Sequence, residues 1–363
     1  MFVSKRYISH LGNLKKNASN VNIISELKNG KGIIKLNRPK KLNALNLQMV
    51  RSINDTITHW YTQGIIDSLI IDSVHPSCFS AGGDIINVIS KEKGSPDQSL
   101  LFKEGYELSH AIDQLNIPVI TIVNGLLMGG GIGLTIHSKY RIATESTVFS
   151  MPEVLFGFFP DTGSSWFLPR MRGELGTYIG MTGYQMKASD TYHSGIATHM
   201  CPQKVLPDLR NDLESVLPDE FEKVLNFYHD KFPIRPFSIS EDLLTKIDYI
   251  FGTSKNTEEI IKKLKPSDDD FSSKTLETFS KGSPKSLEIT FQLLKMGKKA
   301  TSLGECLNNE YNSVLKFLKD EDVYEGVRAL LVDKDFSPNW SPKTIEEVVI
   351  DHTFFKNEQS LNL

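Results

Sequence analysis

Glu153 and Asp161 are the only charged residues between Glu145 and Arg170. They sit in "MPEVLFGFFPDTG" (151–163), an apolar run punctuated by glycine and proline. A carboxylate is costly to bury unless something pairs with it or uses it. Two close carboxyls in a low dielectric also separate in pKa, so that one keeps a proton while the other is ionised. Such a pair suits general acid–base work, or attack by a carboxylate on a carbonyl carbon. Taken singly, each has a plainer role: Glu153 caps a turn and Asp161 ends a helix.

Two glycine-rich turns change the balance. "SAGGD" (80–84) and "MGGGIG" (128–133) each follow an apolar strand and lead into a helix. Glycine there allows close packing of helix on sheet. Each turn also offers a backbone N–H at a helix N-terminus, and two converging N–H groups make an oxyanion hole. Rival chemistries lack their residues. A dinucleotide fingerprint needs glycines at relative positions one, three and six; Gly129, Gly131 and Gly133 are spaced by two, and Leu134 holds the sixth place. There is no Walker A sequence, and "DTGSSW" is not a G-x-S-x-G serine elbow. His193, His199 and Cys201 match no familiar zinc spacing, so no metal is expected.

The elements that must position these residues alternate. "KNGKG" (28–32) between two apolar runs signals a hairpin. Leu47, Val50, Ile53, Ile57 and Trp60 recur at helical spacing up to Gly64. "SLIIDSV" (68–74) reads as a strand, 100–115 as a helix and "VITIV" (119–123) as a strand. "GGIGLTIHS" opens a helix, and "YRIAT" (140–144) and "TVFSM" (147–151) are strands. Strand and helix alternating in this way predict an α/β fold of stacked β-β-α units. After about residue 220 the segments turn helical with charged faces.

Bulk properties narrow the class. The chain has 363 residues, 39% hydrophobic and 23% charged, with a net charge of −3. That is a globular composition with no general attraction for nucleic acid. Three widely spaced cysteines argue against a disulfide framework. Residues 114–138 carry no charge, but Pro118, Asn124 and the glycines make a buried strand and helix a better reading than a membrane span. Residues 1–20 are basic and acid-free, the composition of a mitochondrial transit peptide.

Taken in order, "IIKLNRPKKLNALN" (33–46), "FSAGGDI" (79–85), "NGLLMGGGIGL" (124–134) and "MPEVLFGFFPDTG" resemble the enoyl-CoA hydratase/isomerase (crotonase) superfamily. The resemblance implies a crotonase-like superhelix of β-β-α units over 21–220, followed by a C-terminal helical region over 221–363. It implies an acyl-CoA thioester as substrate, its oxygen held by the backbone N–H groups of Gly83 and Gly130. A hydratase of this superfamily carries a glutamate just after the glycine run, where this chain has Gly133. The second hydratase glutamate matches Glu153, and an acid appears at Asp161 in place of glycine. That pair resembles the 3-hydroxyisobutyryl-CoA hydrolase branch, as do "TGYQMKASD" (182–190), "GIATHMCP" (195–202) and the tail "EGVRALLVDKDFSPNWSP" (325–342).

The implied activity is hydrolysis of 3-hydroxyisobutyryl-CoA in valine breakdown, in the mitochondrial matrix. No cofactor is implied beyond the CoA of the substrate. Glu153 is the implied base or nucleophile, with Asp161 orienting the substrate hydroxyl or sharing the proton transfers. CoA contacts are expected at Lys40, Ala44, Ala81 and the neighbouring Asp84. The branch commonly has a second glutamate near the acyl group, but here that place is Gly105. Glu104 is adjacent, and a one-residue shift turns it away by about 100°. Both are kept as substrate-side candidates. "DTGSSW" replaces a more glycine-rich stretch with the small Ser164 and Ser165. Two other readings are an enoyl-CoA hydratase or isomerase, which Gly133 disfavours, and a structural subunit of the mitochondrial ribosome, which the unbroken set Glu153, Asp161, Gly83 and Gly130 disfavours. Self-association into a homo-oligomer stays open.

Overall fold

The computed structural model describes residues 22–351, 354–355 and 359–363, so the basic stretch 1–20 lies outside the described residues. The described chain opens with the expected hairpin. β1 (Ile23–Lys28) and β2 (Lys31–Leu36) pair antiparallel, with Lys28 opposite Lys31. Asn29 and Gly30 both take positive φ, 49° and 80°, the two-residue turn whose twist matches the strands.

A unit then repeats. α1 (Leu47–Thr62) is capped by Asn46, whose side chain accepts the Met49 N–H, and it buries Val50, Ile53, Ile57 and Trp60. β3 (Ser68–Ser73) and β4 (Cys78–Ser80) follow, then α2 (Ile85–Ile89) and α3 (Pro96–Asp113). The next turn holds β5 (Val119–Val123), β6 (Leu126–Met128) and the short α4 (Gly130–Gly133). The third holds β7 (Tyr140–Ala143), β8 (Val148–Ser150), α5 (Ser164–Phe167) and α6 (Leu175–Thr182). β9 (Met186–Lys187), α7 (Ser189–His193) and β10 (His199–Met200) complete it. The first strand of each turn joins a six-stranded sheet of order β1-β2-β3-β5-β7-β10; the second joins a four-stranded sheet of order β4-β6-β8-β9. Successive turns pair in parallel within both sheets. This is the stacked β-β-α superhelix expected from the alternation.

One element is shorter than expected. "GGIGLTIHS" forms a helix only over Gly130–Gly133 and then breaks into turns. Glycine loses more conformational freedom on ordering than any other residue and gives a helix no side chain to pack. Thr135 Oγ1 also donates to the Ile132 carbonyl, at 2.9 Å, beside the Thr135 and Ile136 N–H groups.

Eight helices close the described chain: α8 (Leu206–Ser215), α9 (Phe221–His229), α10 (Glu241–Gly252), α11 (Thr257–Leu264), α12 (Asp270–Lys281), α13 (Pro284–Gly297), α14 (Leu303–Phe317) and α15 (Glu321–Val327). Their starts are written in the sequence. Ser240, Asn256, Asp269, Ser283, Ser302 and Asp320 each accept a backbone N–H of the first turn, as N-caps do. The period of two in the strands splits the core into layers. Ile33, Ile70, Ile120, Ile122 and Ile142 face α8 and α9. Ile34, Leu36, Leu69 and Ile71 face the larger core, which also takes in Ile289, Leu307 and Val314 of α13 and α14. α9 therefore packs on the sheet although it follows residue 220. No described helix is long and apolar enough to cross a membrane; the uncharged 114–138 stretch is β5, β6 and α4 instead. Cys78, Cys201 and Cys306 are buried and free.

Candidate active site

The loop between β8 and α5 carries both acids. Glu153 opens a 3₁₀ turn, Glu153–Phe156, that ends at Gly157 with φ 76°. Its main-chain oxygen accepts the Phe158 N–H at 3.0 Å. A Cβ at Gly157 would lie 2.2 Å from the Asp322 carbonyl oxygen, and one at Gly326 would lie 2.2 Å from the Phe156 carbonyl oxygen. α15 therefore lies backbone to backbone on the turn that holds Glu153, through two glycines. Ser283 N–H donates to the Val154 carbonyl from the other side, at 3.0 Å.

Both acids are buried, 4% and 6% exposed, and both line a cavity of about 410 Å³, within the usual range of ligand pockets. Tyr106 Oη donates to Asp161 Oδ2 at 2.7 Å. Among the described residues Glu153 Oε2 has no hydrogen-bond partner. Its Oε1 faces the glycine run, 3.1 Å from where a Cβ of Gly129 would be. Burial pushes the Asp161 carboxyl up to about 7, against the stabilising bond from Tyr106. Burial, and then the charge of Asp161, raises Glu153 well above the carboxylate range. An unpartnered buried carboxyl oxygen is costly in a folded core unless it faces a ligand.

The two glycine turns meet at the same cavity. Gly82 and Gly129 take positive φ, 102° and 44°, and a Cβ at Gly130 would sit 3.3 Å from the Gly83 nitrogen. Among the described residues neither the Gly83 nor the Gly130 N–H has a protein acceptor. Two free amides side by side on a cavity wall can hold a developing oxyanion. Gly133, at the end of α4, is closed off. A Cβ there would come within 2.3 Å of Ser109 Oγ and 3.1 Å of Thr162 Cβ, and Ser109 Oγ is tied to the Gly133 carbonyl at 2.9 Å.

Ala81 and Gly105 also line the cavity. Four expected substrate contacts do not. Lys40 is exposed on a short 3₁₀ turn. The Ala44 carbonyl accepts Arg38 Nη1 at 2.9 Å, and Asp84 accepts the same nitrogen at 2.7 Å while capping α2. Glu104 is held outside by Arg51, whose Nε and Nη2 donate to its two oxygens at 2.7 and 2.6 Å. For Glu104 the helical rotation decides: its neighbour Gly105 faces in, so it faces out.

Sequence reasoning missed Tyr106 and Glu310. Glu310, fully buried in α14, accepts the Gly163 N–H at 2.7 Å and the Ser165 N–H at 2.9 Å. It thereby fixes the turn after Asp161, where Thr162 and Gly163 take positive φ of 57° and 85°. Burial pushes its carboxyl up to about 8. A glutamate on the apolar face of "GECLNNEYNSVLKF" (304–317) was the available signal. The tail adds Leu330, Leu331 and Phe336 to the cavity lining.

A family model for enoyl-CoA hydratase/isomerase matches residues 31–354. The mitochondrial 3-hydroxyisobutyryl-CoA hydrolase of Xenopus tropicalis is 41% identical over 328 residues, 88% of this chain and 84% of that protein. The human protein of that name is 37% identical over 348 residues, 94% and 89% of the two chains. Among solved structures, a carnitinyl-CoA dehydratase from Mycobacterium thermoresistibile superposes with a TM-score of 0.84 at 27% identity, covering 93% of this chain and 96% of that one. An enoyl-CoA hydratase from Rhodobacter sphaeroides 2.4.1 gives 0.82 at 28% identity, over 93% and 98%.

Proposed function

The chain belongs to the enoyl-CoA hydratase/isomerase family, and we propose that it is a mitochondrial thioesterase cleaving 3-hydroxyisobutyryl-CoA to 3-hydroxyisobutyrate and CoA. One observation carries the reading. Two buried carboxyls, both raised by their burial, face a cavity beside two free glycine amides, while the place of a second hydratase glutamate is filled by Ser109 and Thr162. Relatives bearing the hydrolase name, similar over most of their length, support it.

The chemistry follows from the parts. The thioester oxygen lies against the Gly83 and Gly130 N–H groups, which bind it more strongly as negative charge develops; losing one such donor typically costs ~10²–10³ in rate. Glu153 with its proton passed to Asp161 is a carboxylate with an unengaged oxygen. It takes a proton from the water that attacks the carbonyl carbon, or attacks that carbon itself, in which case water then cleaves the acyl–Glu153 anhydride, releasing the acid and restoring the Glu153 carboxylate. Asp161, now protonated and anchored by Tyr106, delivers that proton to the departing thiolate. One proton between two carboxyls is what an acid and a base acting in turn require. The acyl hydroxyl has Asp161 and Thr162 within the same wall. CoA arrives as part of the substrate, and each step uses groups of this chain.

Free-thiol release from 3-hydroxyisobutyryl-CoA tests the assignment, run beside hydration of crotonyl-CoA. Thiol release is expected to be faster by orders of magnitude. Faster hydration than hydrolysis would return the protein to the hydratases.

A further inference from the structure

α3 presents Leu101, Phe102, Gly105, Tyr106, Leu108 and Ser109 to the cavity. Gly105 stands out among them. A glycine inside a helix weakens it, and here no close approach of backbone demands one. A Cβ built at Gly105 meets nothing within 4 Å, and its φ is an ordinary helical one. By contrast, a Cβ at Gly133 would meet Ser109 and Thr162 at once. Glu104 cannot fill the gap, because Arg51 holds both its oxygens outside. The wall at Gly105 is therefore bare backbone, one residue from the Tyr106 that holds Asp161. Leu101, Phe102, Leu108, Leu134 and Phe158 make the rest of that region apolar.

Resting on the thioesterase reading above, we propose that the opening at Gly105 is a side pocket for the acyl group. It admits 3-hydroxyacyl-CoA esters whose apolar chain is larger than isobutyryl, and these are hydrolysed as well. The reaction is the same: the acyl carbon–sulfur bond breaks, the hydroxyl of water joins the acyl carbon and its proton ends on the CoA thiol. An open apolar space discriminates by size, since one methylene in such a pocket is worth roughly 10–200-fold.

The test is free-thiol release by the full chain with 3-hydroxyisobutyryl-, 3-hydroxyhexanoyl- and 3-hydroxyoctanoyl-CoA. Wild type, Gly105→Ala and Gly105→Leu are compared. The wild type is expected to hydrolyse the hexanoyl ester within about tenfold of the isobutyryl ester in kcat/KM. The ratio of hexanoyl to isobutyryl is expected to fall by roughly tenfold or more in Gly105→Leu. Gly105→Ala, a better helix former than glycine, shifts the ratio in the same direction and carries the test if the leucine variant does not fold. Hydrolysis of the isobutyryl ester alone, or a ratio unmoved by either substitution, overturns the side pocket and leaves the thioesterase reading standing. No thiol release from any ester overturns both.

Discussion

Two carboxyls and a tyrosine set the protonation of the site. Glu153 and Asp161 were legible in the sequence because charge is rare in an apolar run. Tyr106 was not, since its bond to Asp161 joins residues 55 apart and nothing local marks it. Its hydroxyl favours the ionised Asp161, so it opposes the burial that lifts that carboxyl to about 7. The activity should therefore rise with pH through about 7, as the pair loses its first proton, and fall again when both are ionised. Tyr106→Phe removes the bond and moves the rising limb of kcat/KM upward. An acid limb in the ordinary carboxylate range, or one unmoved by Tyr106→Phe, contradicts the raised Asp161 carboxyl held by Tyr106. Stability carries the same signature. A carboxyl raised in the folded state binds a proton that the unfolded chain has released. Asp161 and Glu310 then contribute stability that is full below about pH 4 and lost as pH rises through about 7 and 8. Melting across that window should decline less in Asp161→Asn than in the wild type.

At the scale of elements, the hairpin and the strands could be read from local chemistry, and the short α4 could not. Its glycines were read as a helix start; that they also end the helix follows from the same lack of side chains. The glycines Gly157 and Gly326 were silent for another reason. Each is demanded by a close approach between the Glu153 turn and α15, a contact between distant segments. This makes a direct prediction. Gly326→Val places side-chain carbon against the Phe156 carbonyl oxygen and pushes α15 off the turn. Overpacking of this kind costs about 1–3 kcal/mol, so both the melting temperature and thiol release should drop. A variant with wild-type melting and turnover would show that α15 does not hold the turn.

Over the whole molecule, the alternating pattern was enough for the stacked fold, because each β-β-α unit repeats local signals. The site needed more. Its carboxyl loop, two glycine turns, α3, and a tail from beyond residue 325 come together only in the folded chain. Lys40, Ala44 and Asp84, expected near CoA, do not line this cavity, since motif order does not give side-chain direction or ion-pair partners; Glu104 faces out, as its place on the helix turn implied. What the folded chain then does as a unit rests on Glu153. Glu153→Gln keeps the size and an acceptor oxygen but removes the carboxylate. The Gly83 and Gly130 amides still hold the thioester oxygen, so binding should be nearly intact while the barrier rises, the pattern of an interaction made only in the transition state. The most direct test is free-thiol release from 3-hydroxyisobutyryl-CoA by the wild type and Glu153→Gln, with ester affinity measured by calorimetry on the same preparations. Loss of turnover by a factor of about 10³ or more, at near wild-type affinity, is the predicted result; near-normal turnover by Glu153→Gln would contradict the account.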